Sequence, residues 1–275
     1  MALRRLKPNT AARRGMTVSD FSEVTLKTPE KSLLVKKTRS SGRNADGHIT
    51  IRHRGGGARR HQRIVDFQGR DGEAKVLGVA YDPARSARLA LLEHEDGSKS
   101  YVLATTQTRA GRTVIKGEKA EVRAGNRLKL RDIPVGTAIH NIELNLGQGG
   151  KLVRSAGLSA VLMAKETEFA QVRLPSGEVR LIHQDCEATI GTLGNADHSN
   201  LKIGKAGRKR HMGIRPTVRG KAMNPVDHPH GGGEGGTSTG MHPKTPWGAT
   251  ALGLKTRKRK YTDSMIIRKR RKKRR

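Results

Sequence analysis

The sequence predicts a mainly β protein, with two small barrels or sandwiches in its centre and extended basic segments at both ends. Three observations carry this. Short apolar runs of period two recur through the centre. Turn signals rich in Gly, Pro and Asp separate them. No stretch shows a sustained apolar stripe at the helical period of about 3.6 residues.

The strands follow in order. His48–His53 alternates polar and apolar residues, the pattern of a half-buried strand. Similar runs stand at Gln62–Phe67, Lys75–Tyr81, Ala87–Glu93 and Ser100–Ala104. A second cluster covers Arg127–Leu130, Ala138–Leu144, Ala160–Lys165, Ala170–Leu174, Val179–His183 and Glu187–Ile190. Asp96-Gly97, Pro134-Val135-Gly136 and Pro175-Ser176-Gly177 are among the turns between them. A single helical turn is allowed near Lys151–Gly157 or Asp197–Ile203.

A division near Gly125 gives a first barrel over 42–124 and a second over 125–204. Each is large enough for a small core. Val76, Leu77, Val79, Leu89, Leu91 and Val102 would fill the first. Leu128, Ile139, Ile142, Leu144, Val161, Val172, Leu174, Val179, Leu181 and Ile190 would fill the second. Cys186, the one cysteine, reads as a small buried hydrophobe, with a reactive thiol as the sharper alternative. Residues 1–41 and 205–275 have too few apolar side chains to offset their ordering entropy alone.

Charge divides along the same lines. The 275 residues carry a formal net charge of +32. Residues 61–190 hold 19 Lys+Arg and 16 Asp+Glu, the balance of an ordinary globule. Residues 1–60 hold 15 against 4, and residues 201–275 hold 22 against 3. Two basic ends around a neutral centre point to a polyanion, with nucleic acid in the lead. The blander reading is a pair of solvated tails or an import signal. The longest apolar runs fall far short of the roughly 20 residues of a membrane span. Met1–Lys7 has no apolar signal region, and one cysteine cannot form an internal disulfide or a CxxC site.

Four segments carry candidate binding residues. In the first, Arg52, Arg54, Arg59, Arg60 and Arg63 flank Gly55, Gly56 and Gly57. The glycines permit close backbone approach and the guanidinium groups pair with phosphates. No Gly-Lys-Ser/Thr follows, so this is not a nucleotide-binding P-loop. In the second, Lys205, Arg208, Lys209, Arg210, Arg215, Arg219 and Lys221 alternate with glycines, and no acid intervenes. That pattern suits phosphate contacts along folded RNA. The third runs from Met223 through Asn224, Asp227, His228 and His230 to Gly236. It reads as a metal site, an Asp-His acid–base pair, or a compact loop whose imidazoles meet nucleotides. The fourth is the tail: Arg257, Lys258, Arg259 and Lys260, then eight consecutive basic residues over 268–275. Three Phe, three Tyr and one Trp cannot make aromatic stacking the main mode of binding. Trp247 is the one tryptophan.

Met223–Gly235 (MNPVDHPHGGGEG) resembles the signature of the ribosomal protein L2 family of the large ribosomal subunit. Other segments agree in order: Arg54–Gly57, Tyr81-Asp82-Pro83, Pro134–Glu143, Leu174–Arg180, Ala188–Gly191, Arg219-Gly220 and Thr245–Gly248. The resemblance runs from near residue 20 to the end of the chain. It implies a basic N-terminal extension (1–41), an OB-fold RNA-binding barrel (42–124), an SH3-like barrel (125–204) and an extended basic C-terminal segment (205–275). It implies a structural, primary rRNA-binding role without catalysis, cofactor or metal. The partners it implies are large-subunit rRNA, small-subunit rRNA across the subunit interface, and other ribosomal proteins. Subunit association, tRNA binding and organisation of the peptidyl transferase region come with it, and Asp227 and His228 would support that region. Placement would be in cytoplasmic ribosomes, an organelle ribosome being left open. The sequence departs from the family at Gly236, where Arg is usual, and at His211-Met212, where Trp-Leu is common. Thr237–Lys244 has no residue-level counterpart, so its path is left unassigned. A histone-like compaction protein and a metal-dependent hydrolase centred on His228 and His230 are the rival readings.

Overall fold

The computed structural model describes residues 3–117, 120–258 and 260–270. Arg259 and the end of the basic tail, residues 271–275, lie outside the described residues. The chain forms two compact units. The first takes the described residues of 1–38, 59–208 and 264–275; the second takes those of 39–58 and 209–263.

All the named strands lie in the first unit. β1 (Leu3–Arg5) and β2 (Thr17–Ser19) form one ribbon, joined through α1 (Ala11–Arg14). The Thr10 hydroxyl caps that short helix by accepting from the Arg13 backbone N–H. β3 (Leu34–Lys36) and β4 (His61–Arg63) form a second ribbon. Next come β5 (Gly72–Ala80), β6 (Leu89–His94), β7 (Lys99–Leu103), β8 (Thr113–Lys116), β9 (Arg127–Lys129) and β10 (Ala138–His140). β11 (Ile142–Glu143) pairs with β12 (Gly150–Leu152). β13 (Ala160–Lys165), β14 (Phe169–Arg173), β15 (Val179–His183), β16 (Glu187–Ile190) and β17 (Ile266–Arg268) complete the set.

Eleven of these strands make one sheet, in the order β17-β15-β14-β13-β10-β16-β9-β8-β5-β6-β7. Its pairings are antiparallel except β8–β9, which meet in parallel at a single register pair, Lys116 and Arg127. That joint separates two sets of apolar contacts. On one side Leu128, Leu130, Ile133, Ile139, Ile142, Leu162, Val172 and Ile182 pack together. On the other, β6 is buried on both faces: Leu89 and Leu91 pack with Tyr101 and Leu193, while Ala90 and Leu92 pack with Val76 and Val79. This is why Leu89–Leu92 is a continuous apolar run rather than an alternating one. In β5 the alternation breaks where the register slips between Val76 and Gly78, so Val79 and Ala80 are both buried.

Most expected core residues are buried; Leu77, Val102, Leu144, Val161, Leu174 and Leu181 are only partly so. Four expectations fail in whole or in part. The strand expected over Gln62–Phe67 ends at Arg63. His48–His53 is not a strand: Ile49 and Ile51 are both exposed, and the backbone N–H groups of Thr50 and Ile51 both donate to the Gly42 carbonyl. Alternation there has no core to face. The run Ala138–Leu144 is split at Asn141, whose φ of 49° ends β10 and starts β11. Gly150–Leu152 is strand rather than helix because it pairs with β11. Ala196–Asn200 does form a short 3-10 turn.

Candidate nucleic-acid interface

In the second unit the first two candidate segments lie side by side. Arg54 bridges Ile214 in antiparallel fashion. The Gly55 N–H donates to the Gly213 carbonyl at 3.0 Å, and the Arg215 N–H donates to the His53 carbonyl at 3.0 Å. The Ala58 N–H donates to the His211 carbonyl at 2.9 Å. Gly57 has a φ of +89°, and a Cβ there would stand 2.8 Å from the Gly213 nitrogen. Glycine is needed both for that φ and for the close approach. Arg52, Arg54, Lys209, Arg210 and Arg215 are exposed on this double loop, and none of the five forms an ion pair among the described residues. The structure thus fixes backbone and leaves cationic side chains outward.

The parts of these segments over 59–63 and 205–208 fall in the first unit. Arg59 and Lys205 are exposed; Arg60 donates to the Pro83 carbonyl at 3.1 Å. Arg63 is half-buried on β4. Arg208, on α2 (Ala206–His211), is half-buried and donates to the Thr17 carbonyl at 3.3 Å.

The His228 loop closes on itself. The Asn224 carbonyl accepts from the N–H groups of Asp227 (3.0 Å) and His228 (3.3 Å), and the Gly232 N–H donates to the Met223 carbonyl (3.0 Å). His228 is 8% exposed. Its ring lies on Gly220, where a Cβ would stand 2.5 Å from Cε1. Its Nδ1 accepts from the His230 backbone N–H at 3.0 Å, so in the neutral ring the proton sits on Nε2. His230 Nε2 accepts in turn from the Lys244 N–H at 3.0 Å, and the two rings stand 5.0 Å apart. The Asp227 carboxylate is exposed and makes no hydrogen bond to His228. The Asp-His acid–base pair is therefore not assembled. Arg219 and Asn224 are exposed beside the loop, and Lys221 is half-buried.

Trp247 is 79% exposed on a turn closed by the Gly248 N–H donating to Thr245. In the tail, Arg257 Nε donates to Asp263 Oδ1 at 2.9 Å, so this cation is held within the chain. Lys258 and Lys260 are exposed.

One basic cluster escaped sequence reading. In the first unit the Arg154 guanidinium sits 4.4 Å from the Phe67 ring centroid and that of Arg85 sits 5.3 Å from it. They line an open cleft of about 670 Å³ with Lys151, Leu158 and Pro175. Asp82 holds Arg85 at 2.7 Å. Residues 67, 85 and 154 are remote in sequence, and only the fold of the sheet brings them together.

A family model described as Ribosomal Proteins L2, RNA binding N-terminal domain, matches residues 30–116. Another, described as Ribosomal Proteins L2, C-terminal domain, matches residues 123–248. The chain belongs to the ribosomal protein L2 family. As an L2 protein it is a structural, RNA-binding constituent of the large ribosomal subunit. Its mainly β architecture fits the OB-fold plus SH3-like barrel arrangement of that family. The match to the C-terminal model takes in both the Lys209–Arg215 strip and the His228 loop, and the match to the N-terminal model takes in the glycine–arginine loop.

Two buried groups of this L2 chain are chemically quiet. Burial pushes the Cys186 thiol up to about 11, so it stays protonated and unreactive near neutral pH. Burial also pushes His140 down to about 4; its Nδ1 donates to the Gly191 carbonyl at 2.8 Å. Among the described residues no three His, Cys, Asp or Glu side chains converge to hold a metal. Among them, too, no helix is long and apolar enough to cross a membrane.

Proposed function

We propose that this L2 protein binds large-subunit rRNA by two cationic surfaces with different supports. The double loop of Arg52–Gly57 and Lys209–Arg215 presses backbone and guanidinium groups onto phosphates. The Arg85–Phe67–Arg154 cleft presents cations held on loops of the first unit. The observation that carries this reading is the double loop itself: five exposed cations, without an ion pair among the described residues, on backbone locked by cross-loop hydrogen bonds. Fixed donors lose little entropy on meeting a phosphate chain.

The domain roles follow. Residues 42–124 act as the OB-fold RNA-binding domain and 125–204 as the SH3-like barrel. Residues 1–41 and 205–275 enter the RNA as extended arms. His228 and Asp227 support the peptidyl transferase region by position rather than by proton transfer. Support for this comes from His228 Nδ1, which is already engaged by the His230 N–H. We place the protein in cytoplasmic ribosomes, contacting small-subunit rRNA and other ribosomal proteins, and contributing to subunit association and tRNA binding.

The test is filter binding of the purified chain to large-subunit rRNA. Six to ten phosphate contacts would lower affinity by about 10³–10⁵ between roughly 50 and 200 mM salt. A flat response, or no preference over unrelated duplex RNA, refutes the reading. Deleting Asp227–Gly236 is expected to impair ribosome assembly or activity; a mere compaction protein would bind as before.

A further inference from the structure

Phe21 and Tyr81 form an exposed aromatic corner in a chain with very few aromatics. Their rings meet edge to face, with centroids 5.4 Å apart at 87°. Phe21 is 45% exposed and Tyr81 43%. The Arg88 guanidinium packs beneath both, 4.9 Å from the Phe21 centroid and 5.5 Å from that of Tyr81. Phe21 also has a φ of 58°, a left-handed conformation that a bulky residue adopts only when its surroundings impose it.

The surroundings do impose it. Arg88 Nη2 donates to the Ser19 hydroxyl at 3.0 Å. The Val24 N–H donates back to the Phe21 carbonyl at 2.9 Å. The N–H groups of Thr25 and Leu26 both donate to Val79 on β5, which donates in return to the Thr25 hydroxyl. The segment is strapped to the sheet so that an apolar ring points into solvent at the cost of backbone strain. Neither hydrophobic burial nor local turn preference accounts for that.

A groove of about 390 Å³ adjoins the corner. Arg63 and Lys27 line it on the cationic side, and Asp20 lines it too. Arg63 Nη1 donates to the His61 carbonyl at 3.0 Å, while its buried Nε has no hydrogen-bond partner among the described residues. A buried donor of this kind calls for an acceptor. Asp20 offers the opposite chemistry: its Oδ1 accepts from the Ser22 N–H and hydroxyl, and its exposed carboxylate lines the groove. One ligand class satisfies all three features. A base stacks on an aromatic face, its amino or imino edge donates to a carboxylate, and its phosphate accepts from a guanidinium.

We propose that the Phe21–Tyr81 corner binds one unpaired nucleotide of the RNA, with Arg63 and Lys27 on its phosphates and Asp20 on its base edge. The inference rests on the rRNA reading above and adds a base-stacking contact to a mode dominated by phosphate. It concerns a single nucleotide, so it agrees with the scarcity of aromatic residues elsewhere.

Ultraviolet irradiation of the full-length protein bound to large-subunit rRNA, then nuclease digestion and peptide mass spectrometry, tests it without any variant. A nucleotide adduct on Phe21 or Tyr81 is expected; adducts confined to other peptides overturn the proposal. In filter binding, Phe21→Leu and Tyr81→Leu should each weaken rRNA affinity about five- to hundredfold. The salt dependence should keep its slope, because no phosphate contact is lost. Tyr81→Phe should restore binding. Leu variants that bind rRNA as the parent does overturn the site, and a selective loss of affinity for another ribosomal protein reassigns it as a protein contact. If the parent chain itself shows no preference for rRNA, the broader reading fails, and the adduct result still decides whether the corner meets a base.

Discussion

The first unit is ordered by buried side chains, the second by backbone closing on backbone. In the first, Leu130, Ile133, Ile139, Ile142 and Leu162 are fully buried, and an eleven-stranded sheet satisfies the main chain around them. Among the described residues of the second, His228 is the only buried one. There, turns, isolated antiparallel bridges at Arg43–Ile49, Arg54–Ile214 and Lys244–Thr250, and glycines at tight approaches define the path. The two regions divide the work. Burial gives a packed platform at the expense of surface, while closed loops leave most side chains exposed. A loop-built unit with so little burial has low local stability until its partner arrives.

The comparison can be broken most forcefully in the sheet. Ile139→Ala should cost about 2–5 kcal/mol in urea unfolding followed by circular dichroism. A loss below about 1 kcal/mol would mean that burial does not hold the first unit.

His140 gives the next effect. Its folded value of about 4 lies below its ordinary 6.5, so the unfolded chain takes the proton first. Its contribution is whole above pH 6.5 and is lost as pH falls towards 4, a change of roughly 3 kcal/mol. His140→Asn keeps a donor for the Gly191 carbonyl but cannot titrate. The variant's unfolding free energy should fall less steeply over that window. An unchanged slope would show that His140 is not the sensor.

Gly220→Ala moves to the second unit. The added methyl would meet the His228 ring, and overpacking of this kind costs about 1–3 kcal/mol. The cost should be local: hydrogen-exchange protection of the His230 N–H drops, while the melting of the sheet stays where it was. Loss of the sheet transition instead would show the two regions to be one cooperative body. The smallest effect belongs to Val226→Ala, at a side chain 90% exposed, which should stay within about 0.5 kcal/mol.

Much of the sheet was legible because strands from 127 to 190 couple period two to real burial. Val179–His183 and Glu187–Ile190 were readable to the residue. His48–His53 shows the limit, since the same alternation occurs in a loop with no core beneath it. β8 was missed because Thr113–Lys116 is short and only half-buried, and β17 because it lies amid the basic tail. In the interface, glycine, arginine and histidine motifs were visible as motifs. The cross-loop pairing that makes the first two one surface was not. Arg257, read as a phosphate contact, is engaged by Asp263 six residues on.

What the sequence determined by itself is local or additive: the β class, the neutral centre between cationic ends, and the glycines that let backbone approach backbone. Period, turn chemistry and charge are properties of neighbours or sums, so they survive without coordinates. Tertiary structure alone decided which distant residues became neighbours. It set Gly55 against Gly213, Arg154 over Phe67, and Phe21 against Tyr81. Such contacts depend on where the chain returns after tens of residues, and that is fixed by packing of the sheet in the first unit and by loop closing on loop in the second, rather than by any segment's own preference.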